Sequence, residues 1–386
     1  MSLVKRTIGV AASVAVAFAT FVAPAQAAPA GCSGDLKLIF QGGLTGPAAQ
    51  TGIGEYNGFK LAVLQYNEKR GSGPKVEPGF IDTQADPAQT PPLALATVND
   101  PCVIGVVGGM YSGETRAALP IYLKGGLPVI SPSATNPKYT RQGFKTAFRL
   151  VADDVHLGGV LGRYAVNELK GKTIAVIDDR TAYGQGVAEE FEKAVKAAGG
   201  NVVAHEFTTD KATDFMPILT TLKGKKPDII FFGGMDAVGG PMLKQMKSLG
   251  IKSKYMGGDG ICTTELVKLA GDAMADGQVV CAEAGGVDGA LKKGMDDFGV
   301  KFKKRFNDDV KLYSPYVYDA VFVMVDAMQR AKSTEPAKYL PELAKTTGYK
   351  GVTGTISFDA KGDIKNGALT LYTFKAGKRD QIAVVR

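Results

Sequence analysis

Six short apolar runs rich in β-branched residues, at 36–40, 103–107, 128–130, 174–177, 202–207 and 229–232, alternate with segments patterned as helices. Most of the runs are continuously apolar, the pattern of parallel strands covered on both faces. Between them, 55–67 places Tyr56, Phe59, Val63 and Tyr66 on one stripe, and 188–198 does the same with Phe191, Ala194, Val195 and Ala198. Such a rhythm specifies an α/β fold with parallel sheets. It runs once over 34–150 and again over 171–282; between the two, Phe148-Arg149-Leu150-Val151 before Asp153-Asp154 reads as a strand leading into a capped helix. An apolar helix at 316–328 and alternating strands at 355–358 and 367–374 then bring the chain back to complete a sheet. Two α/β units with a returning chain imply two lobes around a cleft. The length agrees, since 386 residues exceed the roughly 250–300 at which one core stops growing.

The first residues read as a secretory signal. Lys5 and Arg6 precede an uncharged stretch at 8–22, and Ala25-Gln26-Ala27 forms a small-x-small cleavage site. That stretch is shorter than the roughly 20 residues a membrane-spanning helix needs. Cleavage after Ala27 lowers the formal net charge from +8 to about +6 and delivers a soluble protein outside the cytoplasm. There the even cysteine count favours disulfides. Four cysteines allow three connectivities, and Cys32–Cys102 with Cys262–Cys281 is the favoured one. Cys32 and Cys102 each stand just before a strand-like run, so they meet at one end of a parallel sheet; Cys262 and Cys281 are close in sequence. Zinc is disfavoured, because no Cys-x-x-Cys pair exists and neither histidine lies near a cysteine.

The usual catalytic arrangements are missing: no Gly-x-Ser-x-Gly, no His-Glu-x-x-His and no phosphate loop ending in Gly-Lys-Ser/Thr. Tyr183-Gly184-Gln185-Gly186 lacks the third glycine of a nucleotide loop and reads as a tight strand-to-helix turn. His156 and His205 read as structural or surface residues. The basic clusters Lys223-Lys225-Lys226 and Lys301-Lys303-Lys304-Arg305 lack the stacking aromatics of a nucleic-acid surface and read as solvated helix faces. No enzyme, cofactor, metal or nucleic acid is expected. Small hydroxyl residues do stand at strand ends, where open parallel sheets bind ligands. Ser112 follows Val106-Val107-Gly108-Gly109-Met110-Tyr111, and Ser133 and Thr135 follow Val129-Ile130-Ser131-Pro132. A hydroxyl with free N–H groups at a helix start suits a carboxylate.

Five motifs occur in order: Leu44-Thr45-Gly46-Pro47-Ala48-Ala49-Gln50, Ser131-Pro132-Ser133-Ala134-Thr135, Tyr183-Gly184-Gln185-Gly186, Phe232-Gly233-Gly234 and Met256-Gly257-Gly258-Asp259-Gly260. With them the chain resembles the Leu/Ile/Val-binding family, the periplasmic binding proteins of branched-chain amino acid ABC importers. The resemblance implies two Rossmann-like lobes joined by three crossovers, 28–152 plus 283–358 forming the first and 153–282 plus 359–386 the second. It implies an amino acid ligand, permease and ATPase partners in the inner membrane, and a monomer. Ser112 and Thr135 would hold the ligand carboxylate, the Ser133 carbonyl and Asp259 the ammonium, and Tyr183 would close over it; Met110 and Ala134 complete the set. Met235 and Thr51 stand where relatives carry aromatic rings, so the side-chain pocket is expected to be reshaped. The family's first-lobe disulfide positions hold Ala85 and Tyr111. Open alternatives are a ligand without an α-amino group (a short-chain amide, an aromatic carboxylate or a γ-amino acid) and a sensory role.

Overall fold

The computed structural model describes residues 29–385 except 47, 72 and 288; the expected signal at 1–27 lies outside the described residues. The first part of the chain forms β1 (Leu36–Gly42), α1 (Ala49–Lys69), β2 (Val76–Asp82), α2 (Thr90–Asn99), β3 (Val103–Gly108), α3 (Ser112–Lys124), β4 (Val129–Ser131) and β5 (Ala147–Arg149). A second set follows: α4 (Asp154–Asn167), β6 (Thr173–Asp178), α5 (Ala182–Ala197), β7 (Asn201–Phe207), α6 (Met216–Lys225), β8 (Ile229–Gly233), α7 (Asp236–Ser248), β9 (Lys254–Gly257), α8 (Thr264–Ala270) and β10 (Val279–Glu283). The remainder is α9 (Lys292–Phe306), α10 (Ser314–Ala331), α11 (Pro336–Ala344), β11 (Tyr349–Gly351), β12 (Gly354–Ile356), β13 (Leu369–Lys375) and β14 (Lys378–Val385).

The first sheet has the order β2-β1-β3-β4-β5, and the second repeats that order as β7-β6-β8-β9-β10. Strands within each set are parallel, and β13 and β14 extend the second sheet antiparallel beyond β10. Both faces of each sheet are covered, which is why the strand runs are continuously apolar. In β6 and β8, Ile174, Val176, Ile229 and Phe231 pack toward α4 and α5, where Phe191 stacks on Phe231 at 3.8 Å between ring centroids. The intervening Ala175, Ile177, Ile230 and Phe232 pack with α6 and α7 on the other face. In the first lobe Leu36, Leu38 and Phe40 join Phe59 of α1 and Val317 and Met324 of α10, while Ile39 joins Ala94, Ala118 and Tyr122 on the opposite face.

Both expected disulfides are present, Cys32–Cys102 with Cα atoms 4.7 Å apart and Cys262–Cys281 at 5.3 Å, spacings a disulfide bridges without backbone movement. The chain passes between the sheets three times, at 150–153, 284–286 and 366–368, and the three passages share the lining of one cavity of about 370 Å³. The last passage differs from the boundary expected at 358. Arg149 forms a bridge with Asp363, and Phe358 with Ile364, so the chain stays with the first lobe until about 366.

The reason is Arg149, which is fully buried at the end of β5. Its guanidinium donates to the carbonyls of Asn136 (2.9 Å) and Ala134 (3.3 Å), to the Thr140 hydroxyl (3.0 Å), and to Asp363 in an ion pair. Removing the guanidinium leaves Asp363 largely buried, with the Thr140 hydroxyl as its remaining close side-chain partner, and leaves the carbonyls of Ala134 and Asn136 without their donor. Arg149→Met should therefore lower the unfolding free energy by about 3–5 kcal/mol, read from denaturant titration beside wild type.

Candidate functional site

In each sheet the strand order reverses once, between β1 and β3 and between β6 and β8. Loops diverge at such points and leave a crevice at the carboxyl ends of the strands. The two crevices open onto one cavity of about 410 Å³. Thr51 and Glu55 of α1, Met110, Tyr111 and Ser112 after β3, and Ser133 after β4 line its first-lobe side. Tyr183 of α5, Met235 and Asp236 after β8, and Asp259 and Gly260 after β9 line the other, with Tyr313 from the segment before α10. Seven of the nine expected ligand residues are thus brought together: Thr51, Met110, Ser112, Ser133, Tyr183, Met235 and Asp259. Ala134 and Thr135 are outside the lining. The Arg149 guanidinium takes the Ala134 carbonyl, Asp154 donates its N–H to the Thr135 carbonyl at 2.9 Å, and both residues are buried behind Ser133.

The first-lobe wall is stitched by hydroxyls and one carboxylate. Buried Glu114 accepts from the N–H groups of Met110 (2.7 Å) and Tyr111 (3.1 Å) and from the Thr83 hydroxyl. This holds Ser112 as the first residue of α3, where helix geometry leaves N–H groups free of intrahelical partners. Ser112 Oγ accepts from Asn136 N–H at 3.2 Å, and Ser133 Oγ donates to the Met110 carbonyl at 3.0 Å. Close packing of α1 depends on glycine. A Cβ on Gly52 would fall 1.9 Å from the Gly43 carbonyl oxygen, and one on Gly58 would fall 2.3 Å from that of Ser314.

On the second lobe, Asp259 opens a short 3-10 turn. Its Oδ1 accepts from the Tyr183 hydroxyl at 2.7 Å and its Oδ2 from the Tyr313 hydroxyl, while Gly260 N–H donates to Tyr183 at 3.0 Å. Burial pushes the Asp259 carboxyl above its ordinary range, and the two tyrosine hydroxyls oppose that rise. Each oxygen keeps a second lone pair, so the carboxylate can still accept from a ligand. Tyr183 is aimed by the start of α5. Asp179 Oδ1 accepts from Thr181 N–H (3.0 Å) and Oγ (2.6 Å), and Thr181 caps the helix by accepting from Gly184 N–H at 2.9 Å. The turn therefore lies at 179–181, and Tyr183-Gly184-Gln185-Gly186 belongs to the first turn of the helix. The lobes touch at Asn136, whose side-chain amide donates to the Ala182 carbonyl at 2.6 Å. His205 bonds Glu192 and Asp178 and does not line the cavity.

Several lining residues lie outside the sequence-based set, Glu55 and Tyr313 among them. The sequence pattern begins a helix at Glu55; α1 begins six residues earlier, and the glycines at 52, 54 and 58 obscure that start. Tyr313 carried a usable signal, because Ser314-Pro315 marks a helix beginning directly after it.

This pair of facing crevices has counterparts. A family model for the periplasmic binding protein matches residues 40–379. The chain belongs to the periplasmic binding protein family. It is 33% identical, over 87% of its length and 89% of the relative, to the leucine-, isoleucine-, valine-, threonine- and alanine-binding protein of Pseudomonas aeruginosa. It is 30% identical to the leucine-specific-binding protein of Salmonella typhimurium, covering 90% of this chain and 93% of that one. Among solved structures, the branched-chain amino acid transporter substrate-binding protein LivJ of Streptococcus pneumoniae, crystallised with isoleucine, superposes with a TM-score of 0.82 at 28% identity, covering 91% of this chain and 99% of that one.

Burial raises the Asp179 carboxyl to about 6. The folded state then holds this proton more tightly than the unfolded chain. The resulting stabilisation is complete below about pH 4 and is lost as pH rises to about 6. Denaturant titrations from pH 4 to 7 should show Asp179→Asn with a shallower decline than wild type, the difference being on the order of 3 kcal/mol.

Proposed function

We propose that this chain is the periplasmic substrate-binding protein of an ABC importer, which captures a branched-chain or related aliphatic amino acid and delivers it to the membrane permease and its ATPase. The observation that carries the reading is the Asp259 carboxylate, buried in the cleft between two tyrosine hydroxyls and facing a wall of hydroxyls and a helix start. An α-amino acid matches both sides. Its ammonium pairs with Asp259 and the Ser133 carbonyl; its carboxylate takes the Ser112 hydroxyl and the first N–H groups of α3. Tyr183 closes over the head group, and Thr51, Met110 and Met235 shape the space for the side chain.

The ligand binds one lobe first, and contacts from the other lobe favour closure about the three crossovers. The work is binding and release, with no cofactor and no chemical step. The protein acts as a monomer in the periplasm after loss of its signal. Family membership and the relatives' names support transport, and among the described residues no helix is long and apolar enough to cross a membrane.

Asp259→Ala should weaken binding by about 2–5 kcal/mol, because the ammonium loses its buried partner. Calorimetry with leucine, isoleucine and valine tests this, and unchanged affinities overturn the assignment. Ser112→Ala should weaken binding less, since the backbone donors remain.

A further inference from the structure

Asp259 stands in the run Gly257-Gly258-Asp259-Gly260, so the acid of the cleft is flanked by the residue type that restrains a backbone least. Its two tyrosine partners bond the side chain and act only where the carboxylate is already within reach. Beyond the Gly260 N–H bond to Tyr183, three holds on this turn gather at Cys262. The Cys262 N–H donates to the Asp259 carbonyl at 3.0 Å, closing the 3-10 turn. Its sulfur is bonded to Cys281, which pairs with Gly257 in the parallel register of β9 and β10. The bridge thus ties the turn back beside the end of the strand it leaves. The Cys262 carbonyl accepts from the Arg379 guanidinium at 3.0 Å, and the same nitrogen donates to Glu283 at 2.7 Å. Glu283 is buried two residues beyond Cys281, on the same face of β10. The other disulfide has no such place: Cys32 precedes β1 and Cys102 precedes β3, at the strand ends opposite the cleft.

We propose that Cys262 is a positioning residue of the ligand site: its bridge to Cys281 and its bond from Arg379 hold Asp259 where the ligand ammonium meets it. The proposal rests on reading the cleft as an amino-acid site. A carboxylate on a loose, glycine-flanked turn has to be ordered at each binding event, and that ordering subtracts from affinity. The bridge orders the turn on folding instead. Cys262 acts through Asp259 and needs no contact of its own with the ligand. The two disulfides therefore differ in kind. Both restrict the unfolded chain and so raise stability, but only Cys262–Cys281 acts on the site.

Calorimetric titration of leucine, isoleucine and valine into the full mature chain tests this, at a temperature where circular dichroism shows every variant folded. Cys262→Ala/Cys281→Ala is expected to weaken binding about tenfold. Cys32→Ala/Cys102→Ala is expected to stay within about twofold of wild type, since distant sites act independently, although both pairs lower the melting temperature. A double-mutant cycle with Asp259→Asn separates positioning from general loosening. That substitution should weaken binding about tenfold less without the Cys262–Cys281 bridge than with it. Without Cys32–Cys102 its effect should match that in wild type. Should Cys262→Ala/Cys281→Ala not fold, Arg379→Met, which keeps the bridge and frees the Cys262 carbonyl, is read in the same cycle, with a loss of about threefold or more expected. Wild-type affinity in the variant tested overturns the proposal, as does an Asp259→Asn effect that the variant leaves unchanged. Equal weakening by the two disulfide removals overturns it as well. If wild type binds none of the three nor any other aliphatic amino acid, the amino-acid reading itself falls. The two failures are thereby distinct.

Discussion

The buried guanidinium of Arg149 holds three parts of the molecule that the chain sequence keeps far apart. It ends β5, takes the carbonyls of the loop after β4, and pairs with Asp363 just before the chain leaves the first lobe for the last time. A charge in that position is tolerated because carbonyls, a hydroxyl and a carboxylate surround it. The consequence reaches the cleft. With Ala134 and Asn136 drawn toward Arg149, Ser133 is left at the cavity wall and the Asn136 side chain is free to reach the second lobe. The clamp also fixes where bending can occur. Segments locked to the first sheet move with it, so the closure proposed above would bend at the three passages beyond them.

The cleft follows from using one sheet order twice. Each lobe presents its β-strand carboxyl ends at the same kind of reversal, and the two ends oppose one another. The walls nevertheless differ in chemistry. The first offers hydroxyls and a helix start held by Glu114; the second offers a carboxylate held by tyrosines. A dipolar ligand therefore has one way to lie that satisfies both sides, and orientation comes from the scaffold.

Much of this was legible in the residues. Strands covered on both faces announced themselves as apolar runs, and both disulfides followed from placing cysteines at strand starts or near one another. β2 was missed because Pro78 and Gly79 interrupt it and its residues are mostly half-exposed at a sheet edge. β14 was missed for its charged, partly exposed residues. Cavity-lining residues at strand ends were readable because strand ends are a local property. Glu55 was not, since its place depends on how α1 packs on α10, and Tyr313 was marked only by the Ser314-Pro315 helix start that follows it. Thr135 of the second motif is buried outside the cavity lining, with its carbonyl accepting from the Asp154 N–H.

Closure in such a molecule is balanced finely. The direct polar links between lobes are few, the Asn136 amide to Ala182 and the Tyr313 hydroxyl to Asp259 chief among them. Both are hydrogen bonds that water can replace in an open form, so the amide-to-carbonyl bond contributes about 1 kcal/mol net and the one to the carboxylate about 1.5–3 kcal/mol. On the proposed reading, a ligand that bonds Ser112 on one side and Asp259 on the other would add contacts that exist only when the lobes approach. Its differential affinity for the closed form then sets the population. Tyr183, on the same lobe as Asp259, donates to the carboxylate in either form, so on the proposed reading the ligand and Tyr313 complete a coordination that is partly made before closing.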